Sequence, residues 1–331
     1  DKEASILYAL SQNSITQHKF KDAYHFNMAV EKTNSDPYIN HLLQFDAGME
    51  LGKYYEASEK LADLKEKKSF DYLIRKAKLE DHNGRIENSI KLMEQALLLV
   101  KEKNKRAYSW ALSNLADMYG HNGRVKDAYN AYLEVLSMDS ANLYCLKGIA
   151  WIAFSHDKNT VEAKRILKFI LTQTSMPDLN LMLADIAEWE GDTKTKEMYL
   201  DVFVNEVTKP GYGAMYNKYL IHLYTYDLKD YDKALAIALR EIESRPTPET
   251  YSWLASVYYN KGEMDKAYEI IRDHVNKRTF EPHAYMNMGF IYAAAGKKDE
   301  AKKYLEACGK SSFELGPNAE NKIEEKLKML M

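Results

Sequence analysis

The chain has 331 residues with only 14 Gly and 7 Pro, and long stretches of Ala, Leu, Lys, Glu, Met and Tyr, a composition typical of helical proteins. Its 46 Lys and Arg nearly balance its 49 Asp and Glu, which argues against binding to nucleic acid or to an anionic membrane surface. The two cysteines, Cys145 and Cys308, lie far apart in the sequence and exclude a disulfide framework or a CxxC metal or redox site.

A small residue, expected to open the second helix of a helix pair, recurs about every 34 residues along the chain. In chain order these anchor positions are Ala23, Ala57, Ser89, Ala128, Ala163, Lys196, Ala234, Ala267 and Ala301, with Lys196 as the one large residue. A turn glycine precedes six of them, as Gly52, Gly84, Gly123, Gly191, Gly262 and Gly296, while the turn before Ala163 has one extra residue. A helix pair cannot bury its apolar stripe alone, so this period predicts an all-α array of stacked pairs.

The spacing between anchors is wider at two places. Between Ser89 and Ala128, residues 90–114 contain no Gly or Pro, so the extra residues should lengthen helices. Between Lys196 and Ala234, residues 209–213 (Lys-Pro-Gly-Tyr-Gly) interrupt any helix. We therefore predict repeats one to six over residues 1–208 and repeats seven to nine over residues 209–331, with a hinge at 209–213; the alternatives are a long surface loop and one continuous solenoid.

The eighth and ninth copies are the clearest. Tyr251, Ala255, Tyr258, Gly262 and Ala267 recur, each 34 residues later, as Tyr285, Gly289, Tyr292, Gly296 and Ala301. These residues resemble the signature of the tetratricopeptide repeat (TPR) family, in which an aromatic residue, a small residue and Tyr lead to a turn Gly and an Ala. The resemblance covers about nine repeats, essentially the whole chain, and implies a right-handed superhelical α-α solenoid.

A further helix follows the ninth repeat. Gly316-Pro317-Asn318 punctuates the chain, after which Ile323, Leu327 and Leu330 recur at helical spacing. We predict a C-terminal helix that caps the apolar face of the last pair.

In the TPR family the first helices of successive pairs line a concave groove that binds protein partners. The resemblance places on this surface Asp46, Lys78, Asp81, Asp117, Tyr144, Lys147, Trp151, Asp178, Asp185, Glu188, Lys218, His222 and Ser256. Acidic residues dominate its middle, which favours a basic peptide or protein with an apolar anchor bound at Trp151. Alternatively, these charges only keep the surface solvated. Tyr144, Trp151 and Phe154 are expected to form an apolar pocket.

Two asparagines, Asn114 and Asn287, occupy the position of the Asn in the carboxylate clamp with which some TPR proteins bind the acidic tails of chaperones. The Lys and Arg of that clamp are missing from the neighbouring repeats, so no binding of chaperone tails is expected. The two amides remain candidates for hydrogen bonds to the backbone of an extended peptide.

No catalytic or metal-binding pattern stands out. Ser155-His156-Asp157 lists triad residues consecutively, where they cannot line up in hydrogen-bond order, and the histidines show no metal-ligand spacing. We expect no enzymatic activity and no cofactor, and favour a scaffold or adaptor that binds a peptide or protein in the groove. The alternative is a small molecule or glycan bound by the aromatics around Tyr144 and Trp151.

The compartment is left open by the sequence. No apolar run approaches the roughly 18 residues of a membrane span, so membrane insertion is not expected. The chain begins at Asp1, which suggests that a signal peptide or tag has been removed. The composition is compatible with a soluble cytoplasmic protein and with a protein of the bacterial periplasm or cell envelope.

Overall fold

A computed structural model describes residues 2–33 and 35–331, and within them the chain forms nineteen α-helices and no β-strand. The predicted all-α fold is confirmed. The helices are α1 (Lys2–Thr16), α2 (Phe20–Val30), α3 (Pro37–Glu50), α4 (Tyr54–Ala62), α5 (Phe70–His82), α6 (Ile86–Val100), α7 (Lys105–His121), α8 (Val125–Met138), α9 (Leu143–Ser155), α10 (Thr160–Leu171), α11 (Asp178–Trp189), α12 (Thr193–Val207), α13 (Asn217–Tyr226), α14 (Tyr231–Ser244), α15 (Pro248–Lys261), α16 (Met264–Ile270), α17 (Pro282–Ala294), α18 (Lys298–Cys308) and α19 (Ser312–Leu330). None of the helices in these residues is long and apolar enough to cross a membrane.

The predicted anchor residues all take the same place in the structure. Each is the fourth residue of an even-numbered helix, from α2 to α18. Eight of them are buried to within 1% exposure, and Lys196 is half-buried. Their small size matters because the paired helices nearly touch: a Cβ atom added to Gly48 on α3 would lie 3.2 Å from the Cβ of Ala57 on α4.

The turns before the anchors also share one backbone feature. The residue five positions before the anchor has a left-handed backbone in every pair, and it is a glycine in six of them. In the first, fifth and seventh pairs the position is filled by His18, Lys158 and Lys229, at φ 57°, 54° and 53°. A non-glycine residue pays about 1–2 kcal/mol for this conformation, so the packing of the pair imposes the turn. The pairs without a turn glycine therefore share this backbone conformation with the six pairs that have one.

The wider spacings have the two predicted origins. The 15 residues of α6 and the 17 residues of α7 absorb the first, as uninterrupted helices. The second is the irregular connection of residues 208–216, between α12 and α13.

The chain forms two compact units. The first unit comprises Asp1–Gly84 and Pro210–Ile291, and the second comprises Arg85–Lys209 and Tyr292–Met331. The predicted division at residues 208 and 209 lies beside one border of the units, whereas no sequence signal indicated the borders after Gly84 and Ile291. The hinge at residues 209–213 stays a prediction.

In the first unit, the connections after α3 and after α5 contact connections that follow much later in the chain. Glycines mark the close approaches: a Cβ on Gly52 would lie 3.3 Å from the carbonyl oxygen of Pro246, and a Cβ on Gly84 would overlap the ring of Phe280. One local core consists of Leu42, Phe45, Leu61 and their neighbours between α3, α4 and α5.

In the second unit, the core runs through α7 to α12 and includes Tyr132, Phe154, Leu167 and Ile186. The C-terminal helix α19 packs on α18, as predicted for a cap. It also contacts α7, α9 and α11, the first helices of three pairs. A kink at Gly316, at φ 76° and ψ 167°, divides α19 near its start.

The left-handed turns can be tested by exchanging glycine with another residue. We expect Gly123→Ala to lower the free energy of unfolding by about 1 kcal/mol, because a Cβ there meets no neighbour and only the backbone is strained. Lys229→Gly should raise it by about 0.5 kcal/mol, since relief of strain is partly offset by the entropy of glycine. Urea unfolding of the two variants measures both; a loss of stability in Lys229→Gly would contradict this account.

Candidate partner-binding surface

The predicted groove residues occur in both units. Asp46, Lys78, Asp81, Lys218, His222, Ser256 and Asn287 belong to the first unit, and Asn114, Asp117, Tyr144, Lys147, Trp151, Asp178, Asp185 and Glu188 to the second. Each unit therefore has a surface of its own.

A charged cavity of about 410 Å³ lies in the first unit and includes Lys78, Asp81 and Lys218 in its lining. Lys78 Nζ donates to Glu50 Oε1 at 2.9 Å, and Arg245 Nη2 lies 3.4 Å from Glu50 Oε2. Burial alone would raise the pKa of the Glu50 carboxyl, but these two cations hold that pKa below its usual value. The charge of Glu50 is thus compensated within the protein.

The two imidazoles of this cavity favour the neutral form. His82 stacks on the Tyr54 ring with 3.8 Å between ring centroids. Burial lowers the pKa of His82 and of His18, with Arg245 adding to the effect on His18. The cavity therefore gains little positive charge from its histidines at neutral pH.

The other predicted residues of the first unit are engaged inside the protein. Asp46 accepts a 2.6 Å hydrogen bond from Arg75 Nη2. Asn287 is 7% exposed; its Nδ2 donates to Ser252 Oγ at 2.9 Å, and its Oδ1 accepts from the Tyr226 hydroxyl at 3.3 Å. Ser256 is buried, and its hydroxyl donates to the carbonyl of Trp253 at 2.7 Å. The His222 ring lies 4.6 Å from that of Tyr226.

An open hollow of about 600 Å³ lies in the second unit, between α7 and the start of α9. Two aromatic side chains on its wall are exposed, Trp110 at 48% and Tyr144 at 45%. The other lining residues are Lys105, Arg106, Ser109, Ser113, Asn114, Met138, Asp139 and Asn142. The hollow thus combines an apolar aromatic wall with amides, hydroxyls and two exposed cations.

Asp117 holds Tyr144 in place at this hollow. Its carboxylate accepts hydrogen bonds from the hydroxyls of Tyr132 and Tyr144. Burial and the neighbouring Asp117 charge raise the pKa of both tyrosines well above the usual value, so both remain protonated donors. Tyr132 is fully buried, so this carboxylate links the core of the pair to the wall of the hollow.

The acidic residues of the second unit are also paired. Lys147 Nζ lies 2.8 Å from Asp178 Oδ2, and Glu188 lies within 3.0 Å of both Lys196 and Lys322. Burial alone would raise the pKa of Glu188, and these two lysines lower it.

Trp151 lies beneath α19. Its Nε1 donates to the carbonyl oxygen of Phe313 at 2.7 Å. Its ring packs edge-on against that of Phe154, with 5.9 Å between the ring centroids. Phe154 itself is buried in the core. The structure therefore separates Tyr144 from the other two aromatics that we expected to share its pocket: Tyr144 lines the hollow, whereas Trp151 is covered by α19 and contacts the internal Phe154.

Residues 282–310 match the family model of the tetratricopeptide repeat, which covers the pair α17 and α18. The remaining pairs share its anchor position and left-handed turn. The pair α17 and α18 is therefore a tetratricopeptide repeat. No match was found among curated proteins. The number of repeats beyond the matched pair stays a prediction from the sequence and the helix pattern.

Several solved structures are similar to this chain. A tetratricopeptide repeat protein from Parabacteroides merdae is 18% identical, with 79% of this chain and 98% of that chain covered and a TM-score of 0.44. Yeast Tom70 is 12% identical (99% and 90% covered, TM-score 0.39), and MamA is 17% identical (50% and 89% covered, TM-score 0.35). At these scores the likeness carries no argument. TPR proteins generally act as scaffolds for protein–protein interaction.

The sequence analysis missed Trp110, although a signal was available. Trp110 lies on α7, four residues before Asn114. It takes the same register position as Tyr144 does in the next helix pair. The covering of Trp151 by α19 had no sequence signal, because it depends on contacts between residues about 160 positions apart.

The Asp117 network predicts unequal costs for removing two hydroxyl groups. Tyr132→Phe should lower the free energy of unfolding by about 2 kcal/mol, because it takes a buried donor from a charged acceptor. Tyr144→Phe should cost about 0.5 kcal/mol, since water can replace its exposed hydroxyl. Equal losses in urea unfolding would argue against this assignment.

The first unit should lose stability in mild acid through His283. Burial lowers its pKa from 6.5 to about 3, with Lys218 and His222 adding to the effect. Because the folded pKa lies below the unfolded one, the folded state binds fewer protons, and its stability falls as the pH drops below 6.5. We expect the wild type to lose about 1–2 kcal/mol more than His283→Gln between pH 7 and pH 5. Equal losses in denaturant unfolding would contradict this.

Proposed function

We propose that this TPR protein is a scaffold that binds a segment of a partner protein in the hollow of the second unit, without catalysis. The observation that supports the site is the exposure of Trp110 and Tyr144 side by side on first helices, against an open volume of about 600 Å³. Exposed aromatics in a recess are the side chains that most often dominate binding energy at protein interfaces.

The preorganisation of Tyr144 supports the same site. Its hydroxyl is held by Asp117, which also binds the buried Tyr132. A side chain that is already ordered loses less entropy when a partner binds. The partner's anchor would therefore be an apolar or aromatic residue lying between the two exposed rings.

The charge at the hollow favours acidic residues next to that anchor. Lys105 and Arg106 are exposed on its wall, with Asp139 as the one lining carboxylate. By contrast, the basic partner favoured by the sequence would have to displace internal cations, since Asp46, Asp178 and Glu188 already pair with Arg75, Lys147 and Lys196. Binding of chaperone tails is not part of the proposal, because the clamp cations are missing.

A random peptide library displayed on phage, selected against the full chain, tests the proposal. We expect the enriched peptides to share an aromatic or large aliphatic residue flanked by Asp or Glu. Their affinity, measured by fluorescence anisotropy, should fall at least about tenfold in Trp110→Ala, the loss of a hot-spot side chain.

Phe169→Ala is the matched control, because Phe169 is an equally exposed aromatic of the second unit that lies on the second helix of its pair. It should leave the affinity unchanged. Peptides that bind Trp110→Ala as tightly as the wild type would refute the site. Glycans that bind the wild type but not Trp110→Ala, with no peptide enriched, would instead support the alternative function of carbohydrate binding by the exposed aromatics.

A further inference from the structure

The start of α19 lies on the first helices of the second unit as a bound peptide would. Within this segment, residues 312–322, the side chains of Phe313, Leu315 and Pro317 are buried. We propose that this surface around Trp151 is a second peptide-binding site, which the chain's own C-terminal segment occupies and which a partner segment of the same chemistry takes by exchange.

Phe313 is the anchor of the segment. Its ring lies over Gly120 on α7, where an added Cβ would come within 2.3 Å of the ring. The centroid of the Phe313 ring is 6.0 Å from that of His121. Gly120 is the second-last residue of α7, and the Phe313 ring occupies the space that a side chain there would fill. The absence of a side chain at Gly120 thus forms a recess that holds the ring of Phe313.

Trp151 recognises the backbone of the segment. Its indole Nε1 donates to the carbonyl of Phe313, and the ring lies against Gly316, where a Cβ would approach within 2.8 Å. Gly316 also has φ 76°, which glycine tolerates without strain. The site therefore requires a glycine three residues after the aromatic anchor.

Polar contacts fix the direction of the segment. Asn318 Nδ2 donates to the carbonyl oxygen of Asp185 at 2.8 Å, and Lys322 Nζ lies 3.0 Å from Glu188 Oε1. Lys158 Nζ lies 3.2 Å from Glu320 Oε2. Two predicted groove residues, Asp185 and Glu188, thus contact a peptide, although it belongs to the same chain.

The way the segment is held permits exchange. Among the described helices α19 is the last, so its departure from the surface unravels no other helix that the structure describes. The ion pairs of Glu320 with Lys158 and of Lys322 with Glu188 are partly exposed, and such pairs are weak and sensitive to salt. The buried residues of the segment, Phe313, Leu315, Gly316 and Pro317, form a short pattern that another protein can supply.

The expected partner segment therefore has an aromatic residue, a glycine three residues later, and then a proline and a residue with an amide side chain. A helix follows, and its first turns carry a cation that faces Glu188. The inference does not depend on the hollow at Trp110, because the two sites use different residues.

A labelled peptide of residues 311–331 added to the full chain tests the inference. In a chain with Phe313→Ala and Lys322→Glu, which weaken the internal segment, we expect saturable binding by fluorescence anisotropy, at least tenfold tighter than to the wild type. Adding Trp151→Ala should abolish it, whereas adding Trp110→Ala should leave it unchanged. A peptide of the same composition in scrambled order should not bind.

Three results would overturn the inference. One is no binding to the weakened chain while circular dichroism shows that it is folded. Another is equal binding with and without Trp151. The third is self-association of the wild-type chain that Trp151→Ala removes, which would identify a second copy, and not another protein, as the occupant.

Hydrogen exchange of the wild type covers the case in which the weakened chain does not fold. The amides of α19 should exchange at least tenfold faster than those of α7 and α9, because the segment opens on its own. Equal rates would make the segment a fixed part of the core and refute exchange.

Discussion

The structure depends on the close approach of two helices at one small residue, five positions after a left-handed turn. This distance leaves room for Ala or Ser at the anchor, as at Ala57 and Ser89, and it fixes the angle at which the second helix leaves the first. Once this contact is set, the first helix of each pair presents one face away from its partner. The exposed Trp110 and Tyr144 and the covered Trp151 are on such faces.

The same contact explains why most of the fold could be predicted from the sequence. Anchor residues and turn glycines are local signals, and their period identified the pairs even where His18, Lys158 or Lys229 replaces the glycine. The contacts that close each unit are not local. Arg245 beside Glu50 and Phe280 over Gly84 join residues nearly 200 positions apart, and no period in the sequence records them.

The site was less predictable because a register position gives the direction of a side chain but not what lies in front of it. Asp117, Tyr144 and Trp151 were all placed on first helices, yet Asp117 binds two tyrosines, Tyr144 is open and Trp151 is covered. Acidic groove residues suggested a basic partner, while the structure supplies lysines and arginines to Asp178, Glu188 and Asp46. Charge in a sequence can be counted, but its neutralisation depends on neighbours brought in by folding.

The discontinuous make-up of the two units bears on how the protein forms during synthesis. Ordinary repeat arrays gain each pair's stability from its nearest neighbours, so they can fold progressively as the chain emerges. Here the first unit also includes residues after Pro210, and Gly84 cannot meet Phe280 until the ribosome has passed that residue. Helices α1 to α5 can pack on their neighbours as they emerge, but the contacts that complete the first unit form only after residues 85–209 of the second unit have been made.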